Sequence, residues 1–562
     1  MTKLIPDQVA ALIGAGLRKA QDEGALPAFE VPDIVVERPR QAEHGDYASP
    51  VCLRLAKEAR MSPRDIATRV VEHIPPAPFV SEVEVAAPGY INVTLDASWL
   101  AALVREILNS GREWSNVNVG RGSRQQVEFV SANPTGPITI ASARNAVIGD
   151  TLANVLEVAG FQVEREYYVN DAGSQVRKFG ESVFARYAQA LGQEVPFPED
   201  GYHGYYIVEM GQQIAEEYGD RYLNAGHREA VRALGAEGIA RVIDGVRDDL
   251  ADLGVEFDTW FHEKSLHESG LLDQILAMVR EKGYIVERDG AVWFTSPDLE
   301  ADAVVIRSPK VIAEPDERPT YFASDIAYMW NKLVERGFEK AIYVWGADHH
   351  GDVPRVKAAA KALELDPGRV AIILYQMVNL KRGDEDVRMS KRAGEFVTLR
   401  EMLDEVGPDP IRFMLLTCTV DSTIDFDLDL AVEQSDKNPV YYVQYAHARI
   451  ASVLRYAAEL GWDLDAPGDL SLLRHDSELA LIRKMLELPE IVAQATVQMA
   501  PHHLTFYAQE LAAAFHAFYR DCRVVDAEEP ALTQARLMLV QAARLQLARA
   551  LELLGVTTPE RM

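Results

Sequence analysis

The stretch QVEFVSANPTGPITIASARNAVIGDTLANVLEVAG, residues 126–160, decides the fold of the chain. Residues 126–131 are rich in β-branched and aromatic side chains and predict a buried strand. A turn-forming Asn-Pro-Thr-Gly-Pro follows, and residues 141–159 then have helical spacing up to the stop at Gly160. A strand, a loop and a helix in this order expose helix amides that favour anions, which indicates a phosphate site. Every α/β domain contains such units, so this pattern alone leaves the ligand open.

Length and composition limit the classes of protein that fit the chain. At 562 residues it is long enough for roughly three or four domains. It has no signal-peptide segment and no uninterrupted apolar window of about 18 residues, so we expect neither secretion nor a membrane partner. Cys52, Cys418 and Cys522 lack metal-site spacing, which fits a cytoplasmic protein without a structural metal. The net charge of −29, taken alone, argues against nucleic-acid binding.

A second motif, Arg388-Met389-Ser390-Lys391-Arg392, lies in a charged loop after a late predicted strand. With residues 126–160 it resembles the two signature motifs of class I aminoacyl-tRNA synthetases. The surrounding sequence resembles arginyl-tRNA synthetases from HGDYASPVCLRLAKEA near the start to LELLGVTTPERM at the end. The resemblance implies a cytoplasmic, monomeric arginine–tRNA ligase that uses ATP with Mg²⁺, arginine and tRNA(Arg).

The same resemblance implies an α/β fold of three parts. Residues 1–115 form an N-terminal α/β additional domain that contacts tRNA, and its run His44-Gly45-Asp46-Tyr47 is either a tRNA contact or a plain glycine loop. Residues 116–435 form a Rossmann-like catalytic core with a helical insertion around 178–265. Residues 436–562 form an all-α anticodon-binding bundle.

The resemblance assigns the catalytic loop to Lys391, with Met389, Ser390 and Arg388 beside it. A lysine on a glycine-flanked loop can reach the β- and γ-phosphates of ATP as a point charge. Activation of an amino acid displaces pyrophosphate, so catalysis is mainly positioning and stabilisation of charge on phosphate oxygens.

The polar run at residues 348–352, which contains His349 and His350, resembles a metal site in isolation. Adjacent histidines on an extended segment point to opposite faces, however, so both cannot easily bind one ion. The resemblance instead assigns Gly346, Asp348 and His349 to the ATP crevice, and Asp348 also to the arginine substrate.

The sequence departs from the family at Thr139-Ile140-Ala141-Ser142, which the resemblance assigns to ATP binding. Class I synthetases have His-x-Gly-His there, and both imidazoles stabilise the phosphates. Losing one well-aimed donor typically costs ~10²–10³ in rate, so losing two requires compensation. We hypothesise that Arg144, His349 or His350 supplies it.

A guanidinium substrate requires carboxylates in a dry pocket, because bidentate pairing gives the discrimination. The resemblance assigns arginine binding to Glu128 and Asp325 at the guanidinium, with Tyr321 orienting it and Asn133 at the amino or carboxylate end. Tyr321 and Asp325 are four residues apart and share one helix face. A buried carboxylate is unusual unless it is paired, so an internal salt bridge of Glu128 is the alternative.

The C-terminal region interleaves aromatic and basic side chains. Stacking groups next to arginines suit single-stranded RNA loops, although such aromatics can equally be bundle core. The resemblance assigns tRNA contacts to six residues: Tyr441, Tyr445, Arg449, Phe518, Tyr519 and Arg520.

Two other functions stay open. The substituted 139–142 segment fits a catalytically impaired paralogue that binds tRNA or senses arginine. A core that adenylates another acceptor is disfavoured, because such an enzyme has no need of an aromatic-rich helical domain.

Overall fold

The N-terminal module is a three-stranded antiparallel sheet packed against helices. In the computed structural model, which describes residues 4–311, 318–383, 385–387 and 397–562, its strands lie in the order β1-β3-β2. Its elements are α1 (Ile5–Asp22), β1 (Tyr47–Ser49), α2 (Val51–Ala59), α3 (Pro63–His73), β2 (Val80–Ala86) and β3 (Tyr90–Leu95). Helix α4 (Ala97–Ser110) then leads into the catalytic core.

A five-stranded parallel sheet forms the centre of the catalytic core. Its order is β11-β10-β4-β5-β6, from β4 (Arg124–Glu128), β5 (Gln162–Val169), β6 (Thr259–His262), β10 (Lys340–Gly346) and β11 (Val370–Tyr375). The strand order reverses between β4 and β10, and ligands of open α/β sheets bind at the carboxyl ends of the strands beside such a switch point. The topology therefore directs attention to the residues that follow β4, β5, β6 and β10.

Helix α5 (Ile140–Val158) crosses the sheet directly after β4. A Cβ atom at Gly149 would lie 2.2 Å from Phe129 Cγ, so glycine is required for this helix to approach the strand. Three helices then separate β5 from β6: α6 (Ser174–Ala190), α7 (Tyr205–Tyr218) and α8 (His227–Asp252). The limits of the insertion predicted around 178–265 stay a prediction, and β6 of the central sheet lies inside that range. Tyr206 of α7 donates to the Thr135 carbonyl at 2.5 Å, so the insertion holds the loop between β4 and α5.

The second half of the core includes smaller elements. These are α9 (Lys264–Glu268), α10 (Leu271–Glu281), the antiparallel β7 (Ile285–Arg288), β8 (Ala291–Phe294) and β9 (Ala303–Ile306), α11 (Tyr321–Trp330) and α12 (Val353–Ala362). The sequence AIILYQMVNLKRG, residues 371–383, predicts a single strand, but the structure has two: β11, and β12 (Val378–Arg382) in a separate sheet with β13 (Glu385–Asp386) and β14 (Ile424–Asp427). Helices α13 (Leu399–Val406), α14 (Pro408–Met414) and α15 (Leu428–Val432) complete the core.

The C-terminal region is a helix bundle, as predicted. Its helices are α16 (Pro439–Glu459), α17 (Asp476–Met485), α18 (Leu488–Gln498), α19 (His503–Asp521) and α20 (Pro530–Leu553). Within the described part of the chain, no helix is long and apolar enough to cross a membrane. The three cysteines are unpaired, and Cys52 and Cys522 are buried.

Candidate active site

The chain leaves β4 through two residues in the left-handed backbone region. Strand β4 ends at Glu128, three residues earlier than predicted, and Val130 and Ser131 have φ of 65° and 41°. For a β-branched residue this conformation is strained, and such strain clusters at functional sites. Asn145 of α5 stabilises this backbone conformation, because its Oδ1 accepts a hydrogen bond from the Val130 N–H at 2.7 Å. Its Nδ2 donates to the Val344 carbonyl of β10 at 2.9 Å. One side chain thus ties β4, α5 and β10 together at the switch point.

The first turn of α5 provides the predicted anion site. Thr139 occupies the N-cap position without a side-chain capping bond, and the first intrahelical bond runs from Ala143 N–H to the Thr139 carbonyl. The amides of residues 140–142 therefore have no helical partner. Ala141 is exposed, Thr139 and Ser142 are partly exposed, and Ile140 is buried. Neither hydroxyl has a hydrogen-bond partner within the described residues, so both can donate to a ligand.

The catalytic loop predicted at Arg388, Met389, Ser390 and Lys391 lies outside the described residues. The residues that follow the loop are described and return to the same site. Thr398 forms an isolated bridge with Thr139, and Leu399 N–H donates to the Ile138 carbonyl at 2.8 Å. The chain between Lys391 and Thr398 can span at most ~25 Å.

Arg144 cannot compensate for the missing signature histidines. Its side chain is fully buried and donates to the backbone carbonyls of Gln376 at 2.6 Å and Thr419 at 3.1 Å. Burial lowers the pKa of its guanidinium. Arg144 therefore holds the chain around β11 and β12 against α5 and is not free to contact a phosphate.

The residues after β10 form a 3₁₀ helix, Ala347–Asp352, where we had assumed an extended segment. Asp348 and His349 are exposed there, and His349 Nδ1 lies 3.4 Å from Asp352 Oδ2. Gly346 ends β10, and a Cβ there would lie 2.4 Å from Asp348 Oδ1. No group of three or more metal-ligating side chains is present in the described ranges. His349 and His350 stay available as donors at the mouth of the crevice.

Glu128 forms the internal ion pair that the sequence left as an alternative. Its Oε2 contacts Nζ of Lys332, a residue with 0% exposure that follows α11 in a π-helical turn, Asn331–Glu335. The ammonium also lies 3.9 Å and 3.8 Å from the ring centroids of Tyr328 and Tyr343. Burial raises the pKa of Glu128 and lowers that of Lys332, and their contact opposes both shifts. The other oxygen, Oε1, has one long bond of 3.4 Å from Ser131 Oγ.

Tyr321 and Asp325 lie on the first turns of α11, as predicted. Tyr321 is 43% exposed, whereas Asp325 is partly buried and has no hydrogen-bond partner among the described residues. Burial raises the pKa of Asp325 well above its usual range, and the charges of Glu128, Glu263 and Asp352 add to this effect. Asn133 is exposed in the loop after β4. Among the described residues Asp325 therefore lacks a cationic partner and is influenced by three other carboxylates, so a bound cation would stabilise its ionised form.

Glu263 and Tyr168 also belong to this acidic site and were not predicted from the sequence. Glu263 directly follows β6 and lines a cavity of about 100 Å³ together with Tyr321 and Gln175. Among the described residues the buried Tyr168 hydroxyl has no hydrogen-bond partner, and its pKa is raised by burial and by nearby carboxylates. The position of Glu263 at the carboxyl end of a strand was the available signal.

The predicted tRNA residues lie mainly on one surface of the bundle. Tyr441 and Tyr445 stack at 6.1 Å, and the Arg449 guanidinium lies 5.0 Å from the ring centroids of both Tyr445 and Tyr519. Arg520 is exposed and pairs with the adjacent Asp521 at 2.8 Å. Phe518 has 0% exposure in the bundle core, so its assignment to tRNA is wrong.

The run His44-Gly45-Asp46-Tyr47 lies where the N-terminal module meets the bundle. Asp46 accepts from Arg483 Nε of α17 at 2.6 Å, and the buried Tyr47 hydroxyl donates to Glu490 Oε1 of α18 at 2.5 Å. Asp46 and Tyr47 thus join the two modules, whereas His44 is exposed. A tRNA contact stays a prediction for His44.

Comparison with known proteins identifies each part of the chain. Residues 7–95 match the family model of the arginyl-tRNA synthetase N-terminal domain, residues 103–412 that of the class I (R) tRNA synthetase catalytic domain, and residues 443–562 that of the DALR anticodon-binding domain. The order is the predicted one, and the domain boundaries at 115/116 and 435/436 stay predictions.

Full-length relatives agree with these matches. The chain is 49% identical over 552 residues to an arginine–tRNA ligase of Dehalococcoides mccartyi strain CBDB1, covering 98% of each chain. It is 46% identical to the arginine–tRNA ligase of Heliobacterium modesticaldum, covering 99% of this chain and 97% of the relative. The solved arginyl-tRNA synthetase of Thermus thermophilus aligns over 100% of both chains with a TM-score of 0.77 and 26% identity. With its N-terminal module, parallel catalytic sheet and helical bundle in this order, the chain belongs to the class I arginyl-tRNA synthetase family, the arginine–tRNA ligases.

Proposed function

We propose that the chain activates arginine with ATP to arginyl-adenylate and transfers the arginyl group to the 3′ end of tRNA(Arg). One observation carries this proposal beyond family membership. Two acidic groups whose pKa values are raised by burial, Glu128 at the end of β4 and Asp325 on α11, belong to the same core as the N-terminus of α5, where the amides of residues 140–142 have no helical partner. A cation-binding pocket next to an anion-binding helix end suits a guanidinium substrate and a nucleotide in one crevice.

In this proposal, Asp325 and Glu128 bind the guanidinium. Asp325 has no hydrogen-bond partner in the described part of the chain, and Glu128 keeps Oε1 for a ligand while Lys332 engages Oε2. Tyr321 lies one turn before Asp325 and orients the side chain. Asn133, exposed in the loop after β4, holds the amino or carboxylate end of arginine, and Asp348, exposed after β10, is a further contact to arginine.

ATP binds with its phosphates at the first turn of α5. The amides of residues 140–142 and the hydroxyls of Thr139 and Ser142 supply donors, and the exposed Ala141 allows close approach. Gly346 and His349 border the nucleotide on the β10 side. Lys391 neutralises the β- and γ-phosphates. The bridge between Thr398 and Thr139 supports this role, because it brings the chain seven residues after Lys391 back to the start of α5.

The first chemical step is attack of the arginine carboxylate on the α-phosphorus, with pyrophosphate leaving. The chain contributes positions and charges to this step, because the nucleophile and the leaving group belong to the substrates. Mg²⁺ enters with ATP and shares charge neutralisation with Lys391. In the second step a ribose hydroxyl of tRNA attacks the carbonyl of arginyl-adenylate and AMP leaves.

The proposed tRNA surface consists of Tyr441, Tyr445, Arg449, Tyr519 and Arg520 on α16 and α19. The stacked rings of Tyr441 and Tyr445, and the Arg449 guanidinium against Tyr445 and Tyr519, provide platforms for unstacked bases. On a chain with a net charge of −29, such local basic groups must supply the contacts to phosphates. We further propose that the chain acts as a cytoplasmic monomer, which light scattering after size-exclusion chromatography checks.

Charging of a tRNA(Arg) transcript with labelled arginine tests the proposal. We expect ATP-dependent charging that Lys391→Ala abolishes and that Lys361→Ala, at an exposed lysine on α12, preserves. A chain that binds tRNA and arginine but never charges would contradict the proposed activity. The impaired paralogue, which the Thr139 and Ser142 substitutions favour, would then be the better description.

A further inference from the structure

The insertion between β5 and β6 presents an uncovered tyrosine at the start of α7. Tyr205 is 72% exposed, more than any other aromatic side chain in the part of the chain that the structure describes. Its side chain has no hydrogen bond, ring contact or cation–π contact with any of those residues. Single exposed apolar side chains are common on protein surfaces, so the exposure alone assigns no role. The position of Tyr205 beside the catalytic crevice is the second observation.

The neighbouring Tyr206 fixes this end of α7 on the loop between β4 and α5. Its hydroxyl donates to the Thr135 carbonyl at 2.5 Å, and a Cβ atom added to Gly136 would lie 3.0 Å from that hydroxyl oxygen. Burial raises the pKa of Tyr206, so the hydroxyl stays protonated and able to donate. Consecutive Cα atoms are about 3.8 Å apart, so the Tyr205 backbone is held at the edge of the same loop.

A second tyrosine of the insertion lies near the proposed arginine site. Burial raises the pKa of Tyr321, and the charges of Glu263 and Tyr202 add to this effect, which places the Tyr202 hydroxyl close to Tyr321. The Tyr202 ring also packs edge-on against Phe179 of α6, with the ring centroids 5.6 Å apart. The chain that leads into α7 therefore lies near the arginine site at Tyr202 and near the loop before α5 at Tyr206.

The transfer step requires the 3′ end of the tRNA to enter this crevice. A hydroxyl oxygen of the terminal ribose forms an ester bond to the arginyl carbonyl carbon, the bond from that carbon to the AMP phosphate oxygen breaks, and the hydroxyl proton passes to the departing AMP. The 3′-terminal nucleotides of a tRNA are single-stranded, so the terminal adenine is free to stack on a protein. Exposed aromatic rings are the usual platforms for such unstacked bases.

We propose that Tyr205 is a positioning residue for the transfer step, whose ring stacks on the 3′-terminal adenine and so holds the terminal ribose near arginyl-adenylate. This inference rests on the proposed function, because it assigns a base platform to the tRNA end that the same crevice receives. Tyr202 and Tyr206 hold the platform in place through α6 and through the loop before α5. Stacking uses the face of the base, so the contact requires an aromatic ring at position 205 and no hydroxyl group.

Binding of two forms of tRNA(Arg) to the full chain tests the inference. One form is intact, and the other has a 3′-terminal ribose that lacks its base. We expect wild type to bind the intact form about fivefold to about 50-fold more tightly in filter binding. Tyr205→Ala removes this preference, whereas Tyr205→Phe retains it because the ring is kept. Tyr456→Ala, at an exposed tyrosine of α16, is the matched control and also retains the preference.

Charging kinetics separate positioning from a structural effect. We expect Tyr205→Ala to raise the KM for intact tRNA and to slow single-turnover transfer by a factor within the same range, with unchanged KM values for ATP and arginine. On the tRNA without the terminal base, wild type and Tyr205→Ala then charge at equal rates. A merely structural role of Tyr205 would lower the rate on both forms of tRNA.

Each outcome has a definite meaning. No preference in wild type, or an equal preference in wild type and Tyr205→Ala, would overturn the inference alone, as would loss of the preference in Tyr205→Phe. A wild-type chain that prefers the intact tRNA but never charges it would overturn the proposed activity alone. No binding of either tRNA by wild type would overturn both.

Discussion

Replacing both members of the buried Glu128–Lys332 pair separates the structural role of Glu128 from its proposed role in arginine binding. Lys332 is fully buried and Glu128 nearly so, so either single substitution leaves an uncompensated buried charge. For Lys332→Met or Glu128→Gln alone we expect a loss of about 3–5 kcal/mol in the free energy of unfolding. At about 2–4 °C per kcal/mol, the unfolding midpoint of the catalytic core decreases by about 6–20 °C.

The double variant, Glu128→Gln with Lys332→Met, removes both charges and keeps similar volumes. Replacing a whole buried ion pair is often neutral or stabilising, so we expect a midpoint close to that of wild type. If Glu128 also binds arginine, the double variant still has a KM for arginine at least about tenfold higher, with an unchanged KM for ATP. Thermal unfolding and arginine-dependent kinetics on the same preparations measure both. Recovery of stability together with a wild-type KM for arginine would refute the role of Glu128 as a ligand.

Three further predictions concern other parts of the site. Replacing Thr139 and Ser142 with histidine changes the rate of arginine activation little if other donors already compensate for the missing imidazoles. A rise of several hundredfold in single-turnover kinetics would contradict that compensation. Tyr445→Ala weakens binding of tRNA(Arg) by about 1–3 kcal/mol in filter binding, because a base loses its stacking platform, whereas Tyr456→Ala, at an exposed tyrosine of the same helix, has no effect. In the absence of substrate, burial raises the pKa of Glu263, so the native state binds a proton at this carboxylate more tightly than the unfolded state does. The wild-type chain therefore loses about 3 kcal/mol of stability relative to Glu263→Gln as the pH rises from about 4.5 to about 7. A pH-independent difference in urea midpoints would contradict that assignment.

Local patterns predicted the elements around the site well. Helix α5, Ile140–Val158, begins and ends within one residue of the predicted helix, residues 141–159. Alternating and helical periodicity are properties of short segments, so one sequence is enough to detect them. The early end of β4 was not predictable, because the left-handed conformation of Val130 depends on the hydrogen bond that its N–H donates to Asn145, 15 residues away.

The parts of the site that were missed depend on contacts between distant segments. In the sequence, Lys332 has the pattern of a polar residue on an amphipathic helix. Its burial depends on a contact with Glu128, 204 residues earlier. The buried Glu263 accepts a hydrogen bond from Ser324, 61 residues later. Phe518 and Tyr519 are adjacent in the sequence, yet only the structure places one in the core and the other on the surface. Pairings over such separations leave no periodic signal in a single sequence.

Arginine-dependent exchange of pyrophosphate into ATP, run with and without tRNA(Arg), tests the central claim most directly. It reports formation of arginyl-adenylate, so it examines the α5 site, the acidic pocket and the Lys391 loop in one reaction. We predict exchange in the presence of tRNA that requires arginine and is lost in Lys391→Ala. No exchange under either condition, in a chain that still binds tRNA, would contradict the account.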